Sequence, residues 1–191
     1  NELLSVVVAQ TKNVCGTNQL LCTDPHDRDM LYVGEWTEGL FRSPDGGRSW
    51  QSIGAELPFG RERASVLNVI RADELQPGVL YAGFIREGVW RSRDSGVTWH
   101  KLYPSEERIF NATSMAVRGD LIVVVCEPLY WSPCRSAVLI SRDAGATWTD
   151  VYDPRLGAIR WKTVTLDVSG KRLYAGSCGN SAFTLGLDEE A

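Results

Sequence analysis

The acidic side chains are the first candidates for chemistry: 24 Asp and Glu in a chain of 191 residues. Two carboxylates flanking a bond supply the acid and the base or nucleophile of sugar hydrolysis. Three aspartates recur in matching contexts. The octapeptides SPDGGRSW, SRDSGVTW and SRDAGATW start at Ser43, Ser92 and Ser141, at intervals of 49 residues. The pattern predicts that Asp45, Asp94 and Asp143 are held by their own turns, where an Asp oxygen accepts backbone N–H groups. Asp24 and Asp73, also 49 apart, end the first strand of their repeats and read as turn residues. The segment Asp24–Asp29 gathers three carboxylates with His26, yet lacks the glycine and terminal glutamate of a calcium loop. His26 and His100 are the only histidines and fall in different repeats. No metal site, cofactor or nucleophile–base set is therefore expected.

The elements that must position these residues follow from the repeat. Each octapeptide follows a short apolar strand, beginning Gly39, Gly88 and Ala137. A second recurring piece, Leu-Tyr-x-Gly, stands at Leu31–Gly34, Leu80–Gly83 and Leu173–Gly176. The octapeptide is then a hairpin connection. Ser43, Ser92 and Ser141 bond inside it, and Gly47, Gly96 and Gly145 supply positive φ. Trp50, Trp99 and Trp148 fold over the turn as the next strand starts.

These octapeptides resemble Asp boxes, the repeats of the bacterial neuraminidase (BNR) type. They occur in sialidases, xyloglucanase-like glycoside hydrolases, sortilin-type receptors and Ycf48-type photosystem assembly factors. The Leu-Tyr-Ala-Gly and Gly-Val-Trp-Arg-Ser strings look most like the xyloglucanase-like and Ycf48-like branches. The resemblance implies an all-β fold, a β-propeller of four-stranded blades with the box between strands three and four. In these families the boxes lie away from the active centre. The Phe/Tyr-Arg-Ile-Pro string that opens the sialidase pattern is missing here; Ala158–Trp161 has the wrong order. Arg42 and Arg91 precede two boxes at matched positions, which repeat geometry explains without chemistry.

The expected layout is one domain of about four blades. Blade one takes residues 17–53, blade two 65–103, blade three 112–152 and blade four 162–187, with an acidic tail at 188–191. Strands are expected at Thr17–Thr23, Met30–Glu35, Gly39–Ser43 and Ser49–Ile53 in blade one. In blade two they are Ser65–Ala72, Val79–Phe84, Gly88–Ser92 and Thr98–Tyr103. Blade three takes Ala112–Arg118, Leu121–Glu127, Arg135–Ser141 and Thr147–Tyr152. Blade four takes Lys162–Asp167, Arg172–Ser177 and Ala182–Leu187 and lacks an outer strand. The apolar run Leu3–Ala9, within an N-terminal closing strand 1–10, would fill that place and hide a sheet edge. An open arc of four blades that pairs with a second copy, or a piece of a longer ring, is also compatible with the repeat.

Blade three departs from the spacing: Leu121 to Ser141 is eight residues longer than Leu31 to Ser43. The extra length forms Cys126–Cys134, a hairpin tip with Tyr130 and Trp131 as candidate contact residues. Cys126 and Cys134 flank the tip and are expected to bridge, and Cys15 or Cys22 is expected near Cys178. Such bridges place the protein in an extracellular or periplasmic setting, free thiols in the cytoplasm. Asn111 begins a glycosylation sequon.

Composition narrows the partners. Lys and Arg number 20, so the net charge is −4, and the phosphate-binding basic face of a nucleic-acid protein is not expected. The apolar run at Leu121–Cys126 is far too short for a membrane span. The sequence points to a non-catalytic module that presents loops to a protein partner or to other copies of itself. The alternative is a glycan-binding or glycoside-hydrolase-like protein. Arg61, Arg63 and Arg108 are candidates for the basic patch that a Ycf48-like role implies.

Overall fold

The strand Leu121–Glu127, LIVVVCE, cannot alternate polar and apolar residues because both faces of its sheet are covered. That condition recurs through the molecule. The computed structural model describes residues 19–35, 39–59, 66–103, 111–127, 136–151, 159–179 and 182–187. Among them the protein is all β, with fifteen strands.

The strands fall into four consecutive blades. Blade one holds β1 (Leu21–Thr23), β2 (Leu31–Glu35), β3 (Gly39–Ser43) and β4 (Gln51–Ile53), paired antiparallel in that order. Blade two holds β5 (Val66–Ala72), β6 (Leu80–Ile85), β7 (Gly88–Ser92) and β8 (His100–Tyr103). Blade three holds β9 (Asn111–Arg118), β10 (Leu121–Glu127), β11 (Ala137–Ser141) and β12 (Thr149–Asp150). Blade four shows β13 (Trp161–Leu166), β14 (Arg172–Ser177) and β15 (Ala182–Gly186). A single pairing, Ile85 with Asn111, joins the sheets of blades two and three.

Strands β3, β7, β10 and β14 begin and end where the sequence places them. The outer strands do not: β4, β8 and β12 start two residues later than expected, at Gln51, His100 and Thr149. The cause is the octapeptide. Its Ser or Thr is bound to the turn aspartate and its Trp to the turn glycine, so neither joins the ladder. Residues 1–10 and their expected pairing with blade four lie outside the described residues.

Successive blades stack through three apolar clusters. Tyr32, Leu40 and Leu57 of blade one meet Leu67, Leu80 and Phe84 of blade two. Tyr81 and Val89 meet Met115, Ile122 and Val124. Val123, Val138 and Ile140 meet Val164, Leu173 and Ala175. Burying each such side chain contributes roughly 1.5–3 kcal/mol, which makes these faces the main source of stability.

The inner strands are also tied side chain to backbone. Asn68 donates to Ala112 O at 3.1 Å and Arg71 Nε to Met115 O at 3.0 Å. Ser114 Oγ accepts Val164 N–H at 3.2 Å. Each of β5, β9 and β13 skips one residue in its pairing, a bulge that bends the inner strand. The Leu-Tyr-x-Gly glycines sit against these crossings. A Cβ on Gly34 would lie 2.2 Å from Leu67 Cδ2, and one on Gly83 2.8 Å from Ala112 Cβ.

Candidate functional site: the repeated turns and the blade-to-blade contacts

The three octapeptide turns are built alike. Ser43, Ser92 and Ser141 donate their hydroxyls to Oδ1 of Asp45, Asp94 and Asp143 at 2.8, 2.7 and 2.8 Å. The same hydroxyl oxygens accept the N–H of Gly47, Gly96 and Gly145 at 2.8, 2.9 and 2.8 Å. Each Oδ1 also accepts the N–H of Ser49, Thr98 or Thr147, and each Oδ2 accepts that residue's hydroxyl, at 2.7, 2.6 and 2.5 Å. Trp50, Trp99 and Trp148 return their indole N–H to the carbonyl of the turn glycine at 3.2, 3.0 and 3.0 Å. Gly96 has φ of +88°, and a Cβ there would strike Ile53 at 2.4 Å. Sequence reading assigned all twelve of these side chains and glycines to turn architecture, and the structure brings each set together.

Ser92 is fully buried. Ser92→Ala leaves the buried Gly96 N–H without its acceptor, and is expected to cost about 1–3 kcal/mol in denaturant titration. A loss below a few tenths would show that the hydroxyl bonds contribute nothing net.

These bonds hold the three carboxyls well below their usual range, to about 2. The largest cause is the hydroxyl bond from Ser49, Thr98 or Thr147, followed by the same residue's N–H. The folded pKa is depressed, so folding binds fewer protons than the unfolded chain between the two values. The contribution is complete above the unfolded value of 3.8 and is lost as pH falls through about 2. The melting temperature should drop most steeply between about pH 4 and pH 2, even in molar salt, because short hydrogen bonds are little screened. A melting temperature that is flat across that window, or a drop abolished by salt, would overturn the assignment.

Two arginines do more than repeat. Arg42 Nη1 donates to Ser95 O of the next blade's turn at 3.2 Å, and Arg91 Nη1 donates to Ala144 O at 2.6 Å. Ser95 and Ala144 both sit at φ of +56°. Beside them Tyr32 donates its hydroxyl to Asp24 at 3.4 Å, and burial is the first cause that pushes its pKa up to about 12. Asp73 is likewise more than a turn residue. Its Oδ1 accepts Leu75 and Gln76 N–H and also Gly119 N–H of blade three at 2.9 Å. The signal for both devices was the matched spacing, which names a recurring partner without saying that it sits in the next blade.

Asp24 Oδ1 accepts His26 N–H, and Asp27 Oδ1 accepts Asp29 N–H, so that acidic segment is turn structure. Among the described residues no three His, Cys, Asp or Glu side chains gather around a metal-sized point.

The expected bridge at Cys126 needs correction. Cys126 is a buried free thiol, not half of a bridge. It lies two residues beyond Val124 on the face of β10 that packs on blade two, so its side chain enters that cluster and not the hairpin mouth. Burial pushes the thiol up well above its usual value. Cys22 and Cys178 are also free thiols. Asn111 is 7% exposed at the start of β9. Cys15, Cys134, Tyr130, Trp131, Arg61, Arg63 and Arg108 lie outside the described residues.

No family model matches the sequence, and no curated protein resembles it closely enough to be recognised. Solved structures do resemble it in fold. An ancestral GH74 enzyme superposes with a TM-score of 0.64 at 18% identity, covering 90% of this chain and 23% of that one. Ycf48 bound to a D1 peptide gives 0.58 at 18% identity, covering 90% of this chain and 50% of that one. The computationally designed Ika4 protein gives 0.59 at 7% identity, covering 92% and 94%. The chain spans between 23% and 56% of the length of natural proteins it resembles. At these identities the likeness concerns architecture: antiparallel sheets stacked in chain order form a β-propeller fold.

Proposed function

We propose that this chain is a non-catalytic propeller module that presents its loops to a protein partner. The carrying observation is how the described aspartates are used. Asp45, Asp94, Asp143 and Asp167 are held below their ordinary range by local hydrogen bonds, whereas a glycosidase acid needs a carboxyl raised above it. Asp73 is fully buried and bonded across blades. The peptide held by the similarly folded Ycf48 supports a protein ligand. In this reading the contact loop is the long β10–β11 connection that carries Tyr130 and Trp131. The GH74 likeness motivates one second reading, a glycan-active protein.

The purified chain incubated with xyloglucan and a panel of oligosaccharides separates the two. The expected result is no release of reducing ends and no retention on a glycan array. Turnover of any member, removed by a single carboxylate substitution, would replace the proposal with the enzymatic reading.

A further inference from the structure

Four blades have three apolar junctions among the described residues, so the row that each blade turns toward its successor can be compared. In blade one that row is Cys22–Tyr32–Arg42–Gln51, and in blade two Arg71–Tyr81–Arg91–His100. Tyr32 and Tyr81 are 0% and 1% exposed because the next blade covers them. The same row in blade four is Thr165–Tyr174–Thr184, and Tyr174 is 42% exposed. Arg172 lies two residues before Tyr174, on the same face and exposed.

Blade one has the reciprocal surface. Its opposite row, Leu21–Val33–Phe41, holds the positions that blade two buries against blade one, yet Leu21 is 63% exposed. Below it stands the first octapeptide turn. Gly46 there matches Ser95 and Ala144 and also has positive φ, +70°. Asp29 flanks it: Gly46 N–H donates to Asp29 O at 2.8 Å, and Asp29 Oδ1 would lie 3.7 Å from a Cβ on Gly46.

We propose that copies of this chain associate head to tail. Blade four of one copy lays its Thr165–Tyr174–Thr184 face on the Leu21–Val33–Phe41 face of blade one in the next. Arg172 enters the corner of Asp29 and the Gly46 carbonyl, reaching from the second strand of its blade where Arg42 and Arg91 reach from the third. Apolar blade one gains the cover that its counterparts in blade two have, and opposite charges fix the register. This contact is heterologous, so it closes a ring or grows a fibre. The inference deepens the protein-partner reading and rests on it, naming the partner as a second copy.

Sedimentation of the full chain over a range of concentrations tests it. The expected mass rises with concentration. Arg172→Glu and Asp29→Arg each weaken association by about tenfold or more while leaving the melting temperature unchanged. An equimolar mixture of the two variants then associates again, because one junction pairs the swapped charges and the other keeps the native ones. Tyr174→Arg, at an exposed position, weakens association in the same way without touching the charged corner. A wild-type chain that stays monomeric throughout, or a mixture no better than its components, overturns the proposal; the second result would mean that Arg172 and Asp29 do not face each other across the junction. Neither outcome bears on the glycan assay, so the two readings fail separately.

Discussion

Gly83→Val is expected to lower the stability of the chain by about 3 kcal/mol, near the upper end for overpacking a core. Gly83 lies in β6, paired with Val69 beside the bulge of β5, at the point where β9 of the next blade approaches. A Cβ there would stand 2.5 Å from Val69 Cγ1 and 2.8 Å from Ala112 Cβ. The first neighbour has a rotamer to change. The second is a backbone-anchored carbon in the adjacent blade, so relief requires the blades to separate. Gly83→Ala is then already destabilising, and valine more so. Both are measured by urea unfolding, and the expected order is wild type, alanine, valine. Gly176 offers the internal control. Its Cβ would be 2.9 Å from the exposed Thr163 alone, on the face of blade four that no described blade covers. Gly176→Ala should cost less than Gly83→Ala. Equal costs would mean that the glycine serves the strand's own conformation and not the approach of the next blade.

The contrast between these two glycines shows what the sequence made legible. The interval of 49 residues located the first three blades, because turn chemistry is local: a Ser, an Asp, a Gly and a Trp within eight residues satisfy one another. It also marked Arg42 and Arg91 as equivalent. What the interval did not carry was direction. Arg42 reaches a carbonyl 53 residues ahead, and Asp73 an N–H 46 residues ahead, contacts that exist only once the blades are stacked. Ile140 occupies the matched position in blade three and packs on blade four, whose turn carries no octapeptide. The arginine therefore disappears together with its acceptor.

Cys126 shows a different limit. Two cysteines that bracket a loop invite a bridge when only spacing is considered. Strand alternation decides otherwise: with Val124 in the cluster shared with blade two, residue 126 points the same way. The period of two was visible in the sequence, but not which face of β10 met which blade.

Trp161→Ala is expected to cost about 3 kcal/mol or more, with its effect concentrated in the last blade. Trp161 opens β13, lies edge-on to Phe183 with ring centroids 5.1 Å apart, and receives support from Val138 and Ile140 of blade three through their shared cluster. Its backbone N–H donates to Ser136 Oγ at 3.0 Å, and that hydroxyl donates to Cys126 O at 3.2 Å. The indole thus closes the top of the junction between blades three and four, beside a pocket of about 180 Å3 lined by Val151, Leu173 and Leu185. Truncation enlarges a space that is already imperfectly filled, and blade four has no described successor to hold it from the other side. Hydrogen exchange should therefore quicken in β13, β14 and β15 while β5, β6 and β10 keep their protection. The same variant should also lose head-to-tail association, because Tyr174 and Arg172 are carried on the blade it loosens. If exchange instead quickens uniformly through all four blades, the clusters melt as one unit, and blade four is not the separable end on which the association model depends.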